Sequence, residues 1–451
     1  MNRDLYIAYL YHLYNKKYPI KSITRNENLF RYSLNKEIKK GDIPDSITHL
    51  IFDKYFNQPL KKGDIPKSVT NLIFENNFNQ QLKKGDIPNS VIYLKFGDCF
   101  NKPLNKGIIP NSVTHLTFGY NFIQRLKKDD LPNSVTHLYL YNLCEQILKE
   151  GYIPKSVTHL TFGRFFNQTL KKGVIPNTVT NLIFEGNFNQ SLKKGVIPNS
   201  VIHLQFGFDF NQSLKKDDIP NSVTHLIFGY DFNQELEEGV IPNSVIELTF
   251  GSNFNKPLKK GDIPNSVVCL TFGERFNQPL NEGIIPNSVI YLRFGHKFNQ
   301  PLKKGDIPNS VVYLSFNKEF NQHLKEDDIP NSVAHLIFGS DFNKKIDYYI
   351  LNNLIELIVP KNYIISNIIT KNNILIGYLD RSIIIYKKYS IVITYNDNLI
   401  FNKYILNIDL NLLKGKILMK ELVEKVFHPQ RLLNICDKYN INFIDLIDIY
   451  S

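Results

Sequence analysis

The sequence predicts a mainly β fold, a solenoid of fourteen in-register coils of 22 residues each with parallel strands. A proline recurs every 22 residues from Pro44 to Pro330 without an insertion, as expected of units that stack on one another. Because of this proline, no helix can run continuously through the repeat. The segment VTHLIF of the representative coil 219–240 alternates apolar and polar residues, which indicates a short strand.

Six positions of each coil are almost always apolar and predict the core. We number the positions of a coil from 1 to 22 with the proline at position 2, so that coil 1 begins at Ile43. The spacing Val-x-x-Leu-x-Phe across positions 5 to 10 matches the core pattern of leucine-rich repeats. The apolar set of coil 9 is Ile219, Val223, Leu226, Phe228, Phe232 and Leu236. A single coil buries too little to fold alone, so neighbouring coils must stabilise one another.

An asparagine at position 15 predicts a ladder of side chains along the stack. An amide buried at a bend can bind backbone groups of its turn and of the next coil. The predicted ladder comprises Asn57, Asn79, Asn101, Asn167, Asn189, Asn211, Asn233, Asn255, Asn277, Asn299, Asn321 and Asn343. Position 21 of coils 1 to 13 is glycine or aspartate, which indicates a turn with positive φ.

Coil 5, residues 131–152, departs from the pattern. Leu140 and Cys144 replace the usual phenylalanines, and Glu145 stands where asparagine is expected. The lost aromatic volume leaves a cavity unless neighbouring side chains move in. We therefore expect a kink or a soft spot in coil 5, with a functional notch as the alternative.

The chain divides into four predicted segments. Residues 1–42 form an N-terminal cap with a short helical segment and a degenerate leading coil, and residues 43–346 form the solenoid. Residues 347–410 are interpreted as degenerate coils or added strands. Residues 411–451 have apolar residues at helical spacing, so we expect an α-helical cap over the final coil, which solenoids require.

The strings IPNSVTHLTFG and FNQPLKKGDIP resemble the FNIP repeat family, which occurs in social amoebae and giant DNA viruses. The resemblance covers residues 43 to about 346 and implies a leucine-rich-repeat-like solenoid used for protein interaction. Some members of the family carry an N-terminal F-box that couples them to ubiquitin ligases. Only about 20 residues precede the leading coil here, which is too short for a three-helix F-box, so we do not carry over the ubiquitin-adaptor role.

Positions that vary between coils are available for contacts, because the core does not constrain them. Position 9, after the strand leucine, varies, and positions 12 and 13 vary more. Exposed Tyr, Phe and Arg side chains are typical of the residues that dominate protein interfaces. The candidate partner-binding residues are Tyr120, Tyr139, Arg164, Phe208, Tyr230, Arg275, Arg293 and His296. Unconstrained drift of surface positions is the alternative interpretation.

Two further sets of positions carry imidazole or positive charge. Position 7 is often histidine, as in the run His115, His137 and His159. A flat column of histidines does not converge on one point, so it predicts a mildly pH-sensitive stripe and no metal site. Lysine pairs such as Lys171–Lys172 recur at positions 19 and 20. They are interpreted first as a solvated edge that opposes aggregation and second as a polyanion-binding strip.

The sequence favours recognition over catalysis. It contains no nucleophile-elbow, zinc-protease, phosphate-loop or dinucleotide-binding motif, and no cofactor is predicted. The expected function is a non-enzymatic, monomeric scaffold that binds a protein, which would be a host protein if the chain is viral. The alternatives are nucleic-acid or other polyanion binding along the lysine ridge and a structural role in a virion or filament.

Composition and terminal segments indicate the compartment. Four cysteines have neither the spacing of a disulfide framework nor that of a metal knuckle. The first residues lack the pattern of a signal peptide, and no apolar run is long enough to span a bilayer. We therefore expect an intracellular protein, in the host cytoplasm if it is viral. The net charge of +12 suits either solubility or attraction to an acidic partner.

Overall fold

The computed structural model comprises two compact units, residues 1–345 and 346–451. The predicted N-terminal helical segment and the helical cap at 411–451 lie outside the residues that the structure describes. The described residues are 28–39, 41–142, 147–351, 353–354, 356–360, 363, 374–378, 383–386 and 390–393.

The described residues of the first unit form fifteen short strands, which we number β1 to β15 in chain order. Each pairs in parallel with the next, and equivalent positions lie opposite each other. The predicted leucine-rich-repeat-like solenoid is therefore confirmed, and β1 adds a coil ahead of the fourteen. The strands are Leu29–Tyr32, His49–Phe52, Asn71–Phe74, Tyr93–Lys95, His115–Phe118, His137–Leu140, His159–Phe162, Asn181–Phe184, His203–Gln205, His225–Ile227, Glu247–Thr249, Cys269–Thr271, Tyr291–Arg293, Tyr313–Ser315 and His335–Ile337.

The core consists of stacked columns of identical side chains. Leu226 and Phe228 are fully buried, as the alternation of their strand predicts. The ring of Phe228 stacks on Phe232 of the same coil, with centroids 4.1 Å apart, and on Phe250 of the next coil at 5.8 Å. Burial of each such side chain contributes roughly 1.5–3 kcal/mol. Every coil except coil 5, where Leu140 replaces the strand phenylalanine, has this pair of positions filled by phenylalanine along the unit.

Side-chain hydrogen bonds connect the turns of successive coils. Oδ1 of Asn211 accepts the backbone N–H of Asn233 at 2.9 Å and Nε2 of Gln234 at 2.9 Å. The same contact from backbone N–H to asparagine Oδ1 recurs along the stack and begins at Asn35 of the leading coil. The asparagine side chain therefore accepts a backbone N–H of the next coil in a turn that lies outside the strands.

Coil 5 keeps the register of its neighbours. Leu140 is fully buried, and it pairs with Phe118 on one side and Phe162 on the other. The strands of coils 4 to 6 thus continue without a shift. Residues 143–146, which include Cys144 and Glu145, lie outside the described residues.

The second unit contains a short helix and four described strands. Helix α1 spans Tyr348–Leu351, and strands β16 to β19 span Glu356–Val359, Ile374–Tyr378, Ile383–Tyr386 and Ser390–Ile393. Strand β16 pairs with β17 in parallel, whereas β17, β18 and β19 form an antiparallel meander. In the described part of the chain, no helix has the length and apolar character needed to cross a membrane.

Candidate functional site

Position 11, directly after the strand phenylalanine, determines how closely successive coils approach. It is glycine in most coils, and a Cβ added to Gly251 would stand only 1.7 Å from the carbonyl oxygen of Gly229. In this region the backbone N–H of Phe250 donates forward to the carbonyl of Thr271, at 2.9 Å. Glycine is therefore required wherever the backbones are this close, and the surface there is smooth.

Coils 5 and 7 break the glycine column with Tyr141 and Glu185. Here the hydrogen bonding reverses, and the backbone N–H of Glu185 donates back to the carbonyl of Phe162 at 2.8 Å. The strands of coils 4 to 7 are four residues long, whereas those of coils 8 to 14 are three residues long. The departure from glycine gives this margin of the sheet two additional side chains.

Four aromatic side chains meet at this margin, and we call them the aromatic cluster: Tyr120, Tyr139, Tyr141 and Phe165. The ring of Tyr120 meets Phe165 edge-on, with centroids 4.8 Å apart, and lies 5.6 Å from Tyr141. Tyr141 is 5.8 Å from Tyr139 and 6.1 Å from Phe165. Tyr120 is 42% exposed, while the other three are half-buried. The cluster therefore exposes part of its aromatic surface to solvent.

Charged groups border the aromatic cluster. The hydroxyl of Tyr139 donates to Oε2 of Glu185 at 2.5 Å. Burial raises the pKa of the Glu185 carboxyl, and burial together with this carboxylate raises the pKa of Tyr139. The exposed guanidinium of Arg164 lies 5.8 Å from the ring centre of Phe165. The cluster therefore has a half-buried acid on one border and an exposed cation on the other.

The structure places the eight candidate residues in three groups. Tyr120, Tyr139 and Arg164 belong to the aromatic cluster and its border. Phe208 and Tyr230 stack on each other in coils 8 and 9, with centroids 4.3 Å apart and planes 6° from parallel. The third group lies in coils 11 and 12 and comprises Arg275, Arg293 and His296.

The third group differs from the other two in chemistry. Arg275 and Arg293 are exposed. Burial lowers the pKa of the His296 imidazole, and the neighbouring Arg293 lowers it further. This group presents cations rather than aromatic rings.

The candidate set did not include Tyr141, Phe165 or Glu185, which complete the cluster. Two of them occupy position 11, where the loss of glycine was the available signal. Phe165 occupies position 13, where most coils carry polar or charged residues.

The predicted histidine stripe forms a stack of rings on the outer face of the sheet. His137 lies between His115 and His159, with both ring centroids 4.1 Å away. Nδ1 of His137 is 3.0 Å from the hydroxyl of Thr136. Burial, followed by the neighbouring imidazoles, lowers the pKa of His137 to about 4. Within the described residues, no group of three or more metal-binding side chains is close enough to hold an ion.

The FNIP Repeat model matches this chain in eight segments. The matched residues are 35–77, 78–121, 120–165, 166–209, 210–253, 254–297, 298–341 and 320–361.

Solved structures with similar folds include a crystal structure described as CroV588, a novel circular leucine-rich-repeat protein. It is 37% identical, with a TM-score of 0.62 over 77% of this chain. The chain spans 58% of the length of that structure. A leucine-rich-repeat protein from Bacteroides ovatus matches at 12% identity over 74% of this chain and 84% of its own, with a TM-score of 0.18. No curated protein matches the sequence.

Proposed function

The chain belongs to the FNIP repeat family, and from this premise we propose that it is a non-enzymatic scaffold that binds a protein partner through the aromatic cluster. The observation that carries the proposal is the accessible contact of Tyr120, Tyr141 and Phe165 beside Arg164. Tyrosine and arginine are the residues on which interface energies concentrate.

The cluster is organised before any partner binds, which favours affinity. Tyr139 is held by its hydrogen bond to Glu185, and the rings of Tyr120 and Phe165 restrict each other. Each rotamer-rich side chain that must be ordered on binding costs about 0.5–1.5 kcal/mol. Because these side chains are already restricted, binding of a partner should cost little side-chain entropy.

The chemistry of the surface indicates what the partner presents. The rings provide an apolar surface, and Arg164 provides a planar cation at its border. A complementary surface would combine an apolar or aromatic side chain with a carboxylate, which pairs bidentately with guanidinium. We propose a folded protein or a peptide segment with this combination as the partner.

Site-specific photocrosslinking tests the proposal. A photoreactive phenylalanine analogue at position 120 should capture a protein from the lysate of the natural host cell at moderate salt. The capture should be lost when Phe165→Asn and Tyr141→Gly are introduced, because these residues occupy the same positions in other coils and preserve the fold. The analogue at position 230, next to Phe208, is the matched control.

The outcomes distinguish specific binding through the aromatic cluster from non-specific binding. Capture at position 120 that depends on Phe165 and Tyr141, and is absent at position 230, supports the proposal. Equal capture at both positions, or capture that survives the double substitution, contradicts it. Circular dichroism of each variant checks that the solenoid remains folded.

A further inference from the structure

The turn at positions 19 to 22 forms a continuous strip along one edge of the solenoid, and its charge differs between the two ends. In coils 1 to 8 these positions contain fourteen lysines and seven carboxylates, a net charge of +7. In coils 9 to 13 they contain five lysines and eight carboxylates, a net charge of −3. We call the first part the basic strip. The same backbone thus carries opposite charge along its length.

The lysines at position 20 are supported by the backbone of the following coil. The stem of Lys172 extends across Gly195, where its Cδ lies 3.4 Å from the place a Cβ would occupy. Lys84 and Lys128 extend in the same way across Gly107 and Gly151, at 3.6 and 3.8 Å. At these distances the stem lies in van der Waals contact with the turn of the following coil. The turn at position 21 therefore supports the lysine stems of the preceding coil.

Aspartate replaces this glycine at two places in the basic strip, and there it pairs with the lysine. Nζ of Lys194 lies 2.8 Å from Oδ2 of Asp217, and Nζ of Lys106 lies 3.7 Å from Oδ2 of Asp129. Among the described residues, no carboxylate lies within 4.0 Å of the ammonium groups of the other position-20 lysines. These are Lys62, Lys84, Lys128, Lys172 and Lys216.

Several carboxylates of the basic strip are directed inward. Oδ2 of Asp86 accepts the backbone N–H of Lys83 at 2.7 Å, and Asp130 accepts that of Lys127 in the same way. Both aspartates are buried. Their charge is used within the turn, whereas the lysine ammonium groups of positions 19 and 20 are exposed. The accessible face of the strip is consequently more basic than its net charge indicates.

The length and composition of the strip define its ligand. Neighbouring coils lie about 4.8 Å apart, so eight coils span roughly 34 Å, close to one turn of a nucleic-acid duplex. Positions 17 to 22 of coils 1 to 8 carry one aromatic residue, Tyr152, so stacking on bases has little support. Lysine binds phosphate as a point charge and does not read sequence.

We propose that the basic strip binds the backbone of a linear polyphosphate, as found in nucleic acid or inorganic polyphosphate, without sequence specificity. This activity is separate from the proposed protein recognition, because it uses a different part of each coil.

Fluorescence anisotropy with a labelled thirty-nucleotide oligo-dT at 50, 100 and 200 mM NaCl tests the proposal. The test variant combines Lys84→Glu, Lys128→Glu, Lys172→Glu and Lys216→Glu. Glutamate occurs naturally at position 20 in coils 5, 9, 11 and 13, so the fold accepts it. The matched control combines Lys260→Glu with Lys304→Glu in the acidic half. Each lost phosphate contact reduces the salt slope by about 0.7, so the test variant should lose roughly 3 units of slope.

The proposal predicts steep salt dependence in the wild type and the control, and at least tenfold weaker binding in the test variant at 100 mM NaCl. Displacement of the oligonucleotide by inorganic polyphosphate supports the proposal. If polyphosphate binds and the oligonucleotide does not, the result also supports the proposal and identifies inorganic polyphosphate as the ligand. No binding of either at 50 mM NaCl contradicts it, as does equal loss in the control. Oligonucleotide that polyphosphate cannot displace, or that polyglutamate of equal charge displaces equally well, also contradicts it. The Phe165→Asn, Tyr141→Gly variant should retain full binding, which distinguishes this site from the aromatic cluster.

Discussion

Coils 5 to 7 and coils 9 to 12 share the same buried columns but have different surfaces. In coils 9 to 12 position 11 is always glycine, the backbones approach closely, and the margin is smooth. In coils 5 to 7 Tyr141 and Glu185 interrupt the glycines, and aromatic side chains gather beside them. Tyr141 and Glu185 at position 11 thus add side chains to a margin that also carries Tyr120 and Phe165, which come from coils whose position 11 is glycine.

The largest expected effect comes from adding a side chain where the backbones are closest. Gly251→Ala places a Cβ 1.7 Å from the carbonyl oxygen of Gly229, an atom that cannot move without moving the strand. We expect destabilisation at the upper end of the roughly 1–3 kcal/mol typical of overpacked cores. Urea denaturation followed by circular dichroism measures it.

The matched change in the irregular region is Glu185→Gly, which restores the usual residue. It should leave the unfolding midpoint close to that of the wild type, since the lost hydrogen bond from Tyr139 is offset by the removal of a half-buried carboxylate. A Gly251→Ala protein as stable as the wild type would show that position 11 does not control the spacing of the coils.

A smaller effect is expected from the asparagine ladder. Asn277→Ala removes the acceptor for the backbone N–H of Asn299 and for Nε2 of Gln300. A part-buried donor left without an acceptor costs about 1–3 kcal/mol, and water reaching this turn reduces the loss. Hydrogen exchange should show faster exchange of the Asn299 amide, whereas unchanged protection would argue against the ladder. Gln300→Ala, which leaves the backbone bond intact, is the control.

The smallest expected effect concerns pH. The unfolded pKa of histidine is about 6.5, whereas the folded pKa of His137 is about 4. Between these values the unfolded state binds a proton that the folded state excludes, so stability is complete above pH 6.5 and declines as pH falls towards 4.

Thermal unfolding at pH 7.5 and pH 5 measures this decline. His137→Asn places at position 7 the residue found in Asn71 and Asn181, and it should reduce the decline while leaving stability at pH 7.5 nearly unchanged. An equal decline in the variant would assign the acid sensitivity to other groups.

The core was predictable from the sequence because comparison of the fourteen coils shows which positions stay apolar. Leucine and phenylalanine alternate at positions 8 and 10 in every coil except coil 5, as Leu226 and Phe228 do in coil 9, and a strand with one buried face places both inside. The predicted protein-recognition chemistry also had a local signal, since Tyr120 and Arg164 stand out at a variable position.

The membership of the cluster was not predictable in the same way. Tyr139 binds Glu185 across 46 residues of sequence, and Tyr120 meets Phe165 from two coils away. Such contacts depend on the directions of the side chains at the margin of the sheet. The 22-residue repeat alone does not determine these directions. A glycine that recurs in most coils is usually interpreted as part of a turn. At position 11, however, glycine is needed because the backbones of successive coils lie close together.

The most direct test compares two adjacent residues, Phe165 and Phe166. Phe166 is fully buried, with its ring 4.1 Å from Phe162, whereas Phe165 is half-buried and its ring meets Tyr120 in the aromatic cluster. Urea unfolding and partner capture should show that Phe166→Ala lowers the free energy of unfolding by about 3–5 kcal/mol, while Phe165→Ala costs about 1 kcal/mol or less and abolishes capture. Equal destabilisation by the two substitutions, or capture that survives Phe165→Ala, would contradict the division between core and recognition positions.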